Sequence, residues 1–431
     1  MKKILTFALA LVSILVLCSI SVFAAEGDAV AKIGDEYYVS LQDAIDAAQN
    51  GEVIVLQSNI ELTSAITVSK NSNAVLDLAG YSITQVVECT KSYDMILNKG
   101  TLSITDSVGG GKISLTDTSA GGGSNWGAYT IRNEGNLTVD TVTIENLSAQ
   151  NAGGTFKHTV FAIFQYCGSC TINSGTISTP YYRSIRLWKG DMTINGGIMD
   201  GQVWVQCVDN TASMTINGGS FSPNNMDGSS VFVTNTYDAE FSVTDGYFET
   251  KIGCSDASAL AGAVTGGTFS EAAINAMGAS SALFATAPVE NADGSYSVPL
   301  SLEVAFTFLG YSVNNELDAI TAGYTVDQEY LAKWCTQNSV DNFDFGCIFG
   351  IGGKIADSSA TSFAKYTEYQ TFNVKITGID KTNVNHINAA LSLALYIDRG
   401  NGKEYVVEVD EKIAFVDAAT VPTVTFASFL N

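Results

Sequence analysis

The chain has 431 residues, too long for one ordinary compact core, and sets 44 acidic side chains against 21 basic ones for a formal charge of −23. So acidic a surface repels phosphate backbones and anionic lipid. This excludes nucleic acid as an expected partner, and excludes a membrane except through an uncleaved signal segment. Gly is plentiful at 40 and Pro scarce at 5, while Val, Ile, Thr, Tyr and Phe recur throughout, a balance that favours β structure.

The N-terminus has the three parts of an export signal. Lys2 and Lys3 form the charged region, Ile4 to Phe23 the apolar region, and Val22-Phe23-Ala24 a small-residue cleavage site before Ala25. Residues 1–24 are therefore assigned to a signal peptide, with an uncleaved anchor as the alternative because the apolar stretch is long. A secreted, extracellular or cell-surface chain is expected. Export permits disulfides, and Cys335 with Cys347 is the favoured pair. Cys167 and Cys170 have CxxC spacing without a surrounding βαβ pattern, so they read as core or corner residues rather than a redox pair.

Residues 26–35 form a polar lead-in. Ser40 with Asp43 three residues on resembles a capping box, and Leu41, Ala44, Ile45 and Ala48 share one helical face. One amphipathic helix ahead of strands suits a cap over the open end of a solenoid. Val53–Leu56 and Ile60–Leu62 read as the first strands, and Val75–Ile83 and Leu102–Asp106 continue the coils. The glycine runs 109–111 and 121–123 lack a Gly-Lys-Ser/Thr ending and read as a loop between coils.

One phrase then repeats. Cys170-Thr171-Ile172-Asn173-Ser174-Gly175, Met192-Thr193-Ile194-Asn195-Gly196-Gly197 and Met214-Thr215-Ile216-Asn217-Gly218-Gly219 start 22 residues apart, with looser copies at 137, 241 and 263. Apolar residues alternate with Thr or Ser as in a strand, and Asn-Gly then turns a corner. Strand, corner, strand at such a period describes coils of a parallel β-helix, in which each repeat buries its apolar face only against its neighbours. Residues 271–285, with Ser270 as cap, suggest a short helix closing the far end. After Pro299 the period stops. Alternating runs at 302–308, 343–351, 370–377, 389–397, 404–409 and 421–427 suggest an antiparallel β-sandwich, with one or two helical turns at Tyr330–Cys335. The expected domains are 25–299, parallel β-helix, and 300–431, β-sandwich.

The opening Ile33-Gly34-Asp35-Glu36-Tyr37-Tyr38-Val39-Ser40-Leu41-Gln42-Asp43-Ala44-Ile45, with Leu76-Asp77-Leu78-Ala79-Gly80, resembles secreted β-helix proteins of Gram-positive bacteria. So does the ending Gly266-Gly267-Thr268-Phe269-Ser270 followed by Asn291-Ala292-Asp293-Gly294-Ser295-Tyr296. The resemblance implies a right-handed, pectate-lyase-like helix over roughly residues 30–300. That superfamily includes lyases, glycosidases and non-catalytic surface proteins, so fold does not choose function.

Stacking the coils by the phrase aligns a second strand column: Ala128–Arg132, Phe161–Tyr166, Arg183–Trp188 and Val203–Gln206. If Ile185, Leu187, Val203 and Val205 point inward, Arg186, Trp188, Trp204 and Gln206 point outward. Three of the four tryptophans (Trp126, Trp188, Trp204) and several scarce cations (Arg132, Lys157, Arg183, Arg186, Lys189) collect here. Arginine beside exposed rings binds carboxylates and stacks on sugar faces. The candidate binding residues are Arg132, Tyr166, Arg183, Arg186, Trp188, Trp204 and Gln206, with Tyr181, Tyr182 and His158 as additions. The partner expected is an extracellular glycan or a host or cell-surface component. Long side chains packing against the loop 145–160 is the competing account.

No catalytic residue is assigned. Asp191, Asp200 and Asp209 sit at corners where Asp favours turns, and no polygalacturonase or pectate-lyase signature is present. The two histidines, His158 and His386, fall in different halves, so no His-based metal or catalytic set is expected. Calcium would suit the charge, but no Asp-x-Asp-x-Asp or Gly-Gly-x-Gly-x-Asp motif is present, so no cofactor is expected. A non-enzymatic binding module or adhesin is the first reading, and a polysaccharide lyase or glycosidase the second.

Overall fold

A computed structural model describes residues 28–119, 127–148, 159–208, 212–223, 228–234, 240–278, 281–338, 340, 343–351, 354–357, 361–363, 369–398, 403–409, 412–417 and 420–429. The expected signal peptide, the second glycine run, Trp126, Lys157, His158 and Asp209 lie outside these residues. The side chains of Tyr181, Tyr182 and Cys347 do too. The chain divides into two compact units, Met1–Val298 and Pro299–Asn431.

The first unit is built from strands that pair in parallel with the strand one repeat on. One column runs Glu52–Leu56, Asn73–Asp77, Thr101–Thr105, Asn136–Val139, Ser169–Ile172, Asp191–Ile194, Ser213–Ile216 and Glu240–Val243. A larger curled sheet carries the rest of each coil, an arrangement compatible with a parallel β-helix. The phrase sets the register: Cys170 pairs with Met192 and Met192 with Met214. Every second residue of it, Ile172, Ile194 and Ile216, is fully buried. Its later hydrophobic position stacks Phe221, Phe248 and Phe269 face to face, with centroids 4.9 Å apart at both steps, a geometry worth more than area alone.

The corner explains the Asn-Gly pair. Asn195 donates to Asn173 at 2.9 Å and Asn217 to Asn195 at 3.0 Å, so these amides form an outer corner ladder. Gly197 takes φ +90°, and a Cβ there would stand 2.6 Å from the Gly175 carbonyl oxygen of the coil before. Only glycine allows both the angle and the approach.

The N-terminal end is capped as the helical pattern predicted, with an addition. Helix Leu41–Ala47 buries Leu41, Ala44 and Ile45, and Ser40 accepts from the Asp43 N–H at 3.3 Å. Gln42 then behaves as a missing strand: it accepts from Thr67 N–H at 2.8 Å and donates to Thr67 C=O at 2.9 Å. This satisfies part of the open edge of Ile66–Val68. Part of the polar lead-in is a hairpin, Ala31–Ile33 with Glu36–Tyr38, laid antiparallel on the first coil. At the other end Ser270 caps helix Glu271–Met277 by accepting from Ala273 N–H at 3.0 Å.

The second unit has two antiparallel sheets and fits the sandwich expectation in part. Phe306–Val313, Ala319–Asp327 and Tyr369–Thr377 form one; Lys354–Asp357, Phe343–Ile351, Leu391–Asp398, Lys403–Val409 and Lys412–Val416 run through the other. Tyr324, Trp334, Leu393, Val406 and Phe426 share its core. The turn expected at Tyr330–Cys335 is a ten-residue helix, Gln328–Gln337, capped by Asp327. The run at 421–427 pairs only at Val424, as an isolated antiparallel bridge to Leu391. Pro422 offers no N–H to a ladder, and a short helix, Phe426–Phe429, buries Phe426 instead.

Candidate functional site

Pairing registers build the site one rung at a time. Arg132 lies opposite Phe164, Phe164 opposite Arg186, Arg186 opposite Trp204, and Trp204 opposite Phe232. Cation and ring thus alternate along four adjacent strands at one outward position. Two residues further along are Tyr166, Trp188 and Gln206, while Arg183 stands opposite Gln202 where the register shifts. The inward partners Ile185, Leu187, Val203 and Val205 are all 0% exposed, so the alternation of faces holds.

The guanidiniums lie on rings. Arg132 sits 4.1 Å from the Tyr166 centroid and 5.8 Å from Phe164; Arg183 sits 3.7 Å from Trp204. Arg186 is 4.2 Å from Trp188, 4.9 Å from Trp204 and 5.1 Å from Phe164. Glutamines hold the edges: Arg183 donates to Gln202 at 2.6 Å and Arg186 to Gln206 at 2.7 Å. Trp204 donates its indole N–H to Thr234 at 3.1 Å. All seven sequence-predicted residues are half-buried and fall on this one face.

Three groups of residues escaped the sequence reading. Tyr129, Phe161 and Phe164 form a buried apolar patch outside the main core, against which Tyr166, Trp188 and Trp204 pack. Asp94 and Glu134 meet Arg132 at 4.0 Å and 2.7 Å. Burial pushes the Asp94 carboxyl up, Arg132 partly offsets this, and Glu134 adds to it. Gln202 is fully buried. Strict alternation from the inward Ile131 and Ile163 would turn Tyr129 and Phe161 inward as well. Their place outside the main core was therefore not legible in sequence, and neither was the approach of Asp94 from the preceding coil.

Asp191 and Asp200 are not corner residues: Asp191 opens the strand Asp191–Ile194 and Asp200 lies within Ile198–Gln206. Asp191 accepts from Ser213 at 2.7 Å and Asp200 from Ser178 at 3.1 Å, each bond joining neighbouring coils. Cys170 is buried in the inward column and its thiol is pushed up to about 12 by that burial. Cys167 donates to the Glu134 carbonyl at 3.4 Å, and the two cysteines are not bonded to each other. Among the described residues no group of three His, Cys, Asp or Glu side chains is placed to hold a metal ion, and no helix is long and apolar enough to cross a membrane.

Comparison with protein-family models, with curated proteins and with solved structures finds no match to this chain. The chemistry available is therefore that of the face itself. It presents guanidiniums stacked on aromatic rings and edged by glutamines, with Arg132 already paired to Glu134 and Asp94.

Proposed function

We propose that the chain is a secreted or cell-surface protein whose first unit is a right-handed, pectate-lyase-like β-helix, and that this unit binds an acidic or neutral extracellular glycan without turning it over. One observation carries the reading: the alternation of Arg132, Phe164, Arg186 and Trp204 on adjacent strands. Strands in such a sheet are about 4.8 Å apart, so two cations separated by one rung stand roughly 10 Å apart, near the span of two sugar units. Ring contacts hold the arginines before any ligand arrives, which lowers the entropy cost of binding.

The test uses Arg186→Met, which keeps an aliphatic stem among the rings, and the Arg186→Ala/Trp188→Ala pair. Both should lose retention on a uronate-bearing glycan array while Arg186→Met melts near the wild-type temperature. Undiminished binding by both variants refutes the proposal.

Asp94 supports a second reading, hydrolysis or elimination on an acidic polysaccharide. A carboxyl pushed up by burial beside a second carboxylate is the pattern of a general acid. Release of reducing or unsaturated sugars by the wild type, lost in Asp94→Asn, would establish it.

A further inference from the structure

A cleft of about 540 Å³ opens on the curled sheet near the N-terminal coils, away from the arginine rung in sequence. Its walls come from three pieces: the strand Ile60–Glu61, the strand Ser82–Val87, and the turn leading into Tyr93. That volume lies in the range of small-molecule sites. Gln85 is among its lining residues. The residue is 2% exposed, and its Oε1 is buried without a hydrogen-bond partner. Burial pushes the neighbouring Tyr93 phenol up, and the Gln85 amide partly offsets this. A buried carbonyl oxygen left unmade costs about 1–3 kcal/mol, so a donor that enters the cleft beside Tyr93 and reaches it recovers that cost.

The rim states which donor. Glu61 and Glu88 are exposed, and Lys91 is the one cation among the lining residues, so two carboxylates against one ammonium leave a net −1. Val86, 62% exposed, adds apolar surface of the kind that a sugar's C–H face covers. An anionic sugar is disfavoured here, and a cationic polyhydroxylated one is suited. We propose that this cleft binds a short amino-sugar oligosaccharide, with an N–H or O–H donor on Gln85 Oε1 and an ammonium between Glu61 and Glu88.

This site does not depend on the arginine face, and its charge preference is the opposite one. The probe is a glucosamine dimer titrated by calorimetry into the full chain, beside a galacturonate dimer. The glucosamine dimer should bind the wild type and the Arg186→Met variant equally. Gln85→Leu should weaken it about tenfold, the worth of one such hydrogen bond, without lowering the melting temperature, because it removes an unpartnered acceptor. Glu61→Gln/Glu88→Gln on the exposed rim should weaken it as well and remains informative if Gln85→Leu folds poorly. Absence of glucosamine binding, preference for galacturonate in this cleft, or loss through Arg186→Met with Gln85→Leu unaffected, each overturns the proposal.

Discussion

Replacing Asn133 tests whether buried amides hold the register beneath the arginine face. One inward column reads Val68, Asn98, Asn133, Gln165, Leu187, Val205 and Val233, so three amides interrupt an apolar stack. Asn98 donates to Asn133 and Asn133 to Gln165, each at 2.7 Å, and all three are 0% exposed. The same amides also reach the corner backbone at the Asn136, Ser169 and Cys167 carbonyls. In Asn133→Leu the Gln165 Oε1 and the Gly135 N–H lose their Asn133 partners, while Asn98 keeps the Asn136 carbonyl. At about 1–3 kcal/mol per orphaned group, less the gain from burying Leu, the loss should be about 2–4 kcal/mol. Adding Gln165→Leu removes the orphan and copies the apolar coils that follow, so the pair should recover at least about 1 kcal/mol over the sum of the singles. Because the chain has two units, hydrogen exchange of the Thr159–Gln165 amides is the readout rather than one melting curve. Stability of Asn133→Leu within about 0.5 kcal/mol of wild type, or strict additivity in the pair, would refute the reasoning.

Other outcomes follow from the same structure. Phe248→Ala, which empties the middle of a three-ring stack, should cost about 3–5 kcal/mol in chemical denaturation. Gly197→Ala should lower expression and melting temperature sharply, since its Cβ meets backbone rather than a movable side chain. Asp106 is pushed up by burial, but N–H donors of Gly111, Gly80, Gly109 and Val108 outweigh this and hold its carboxyl below the usual range. Its folded-state value lies below the unfolded one, so its stabilisation is present above the unfolded value and is lost as pH falls through the folded one. Acid titration of Asp106→Asn should therefore show a shallower loss of stability than wild type. The Cys170 thiol should resist alkylation at pH 8 in the folded chain and react once denatured, as mass spectrometry would report.

What sequence disclosed and what it withheld divide along the repeat. Where spacing is strict, Ile172, Ile194 and Ile216 recur at one offset, and both the coil and the outward side of Arg186 and Trp204 follow from alternation alone. Asn98, Asn133 and Gln165 are 35 and 32 residues apart. Insertions between them hide the fact that they share a column. Asp94 reaches Arg132 from the preceding coil for the same reason. In the second unit, Ala319–Asp327 was missed because Ala322 and Gly323 dilute the alternation of Ile320, Tyr324 and Val326, although all three large residues are buried. The contrast has a physical cause. Coils of equal length place like beside like, and amides or rings ladder on themselves, as Asn173, Asn195 and Asn217 do. Coils of unequal length put unlike residues in register, and that is where a carboxylate meets an arginine and a glutamine lines a cleft. In such a solenoid the period locates the scaffold, and departures from it are the places to look for chemistry.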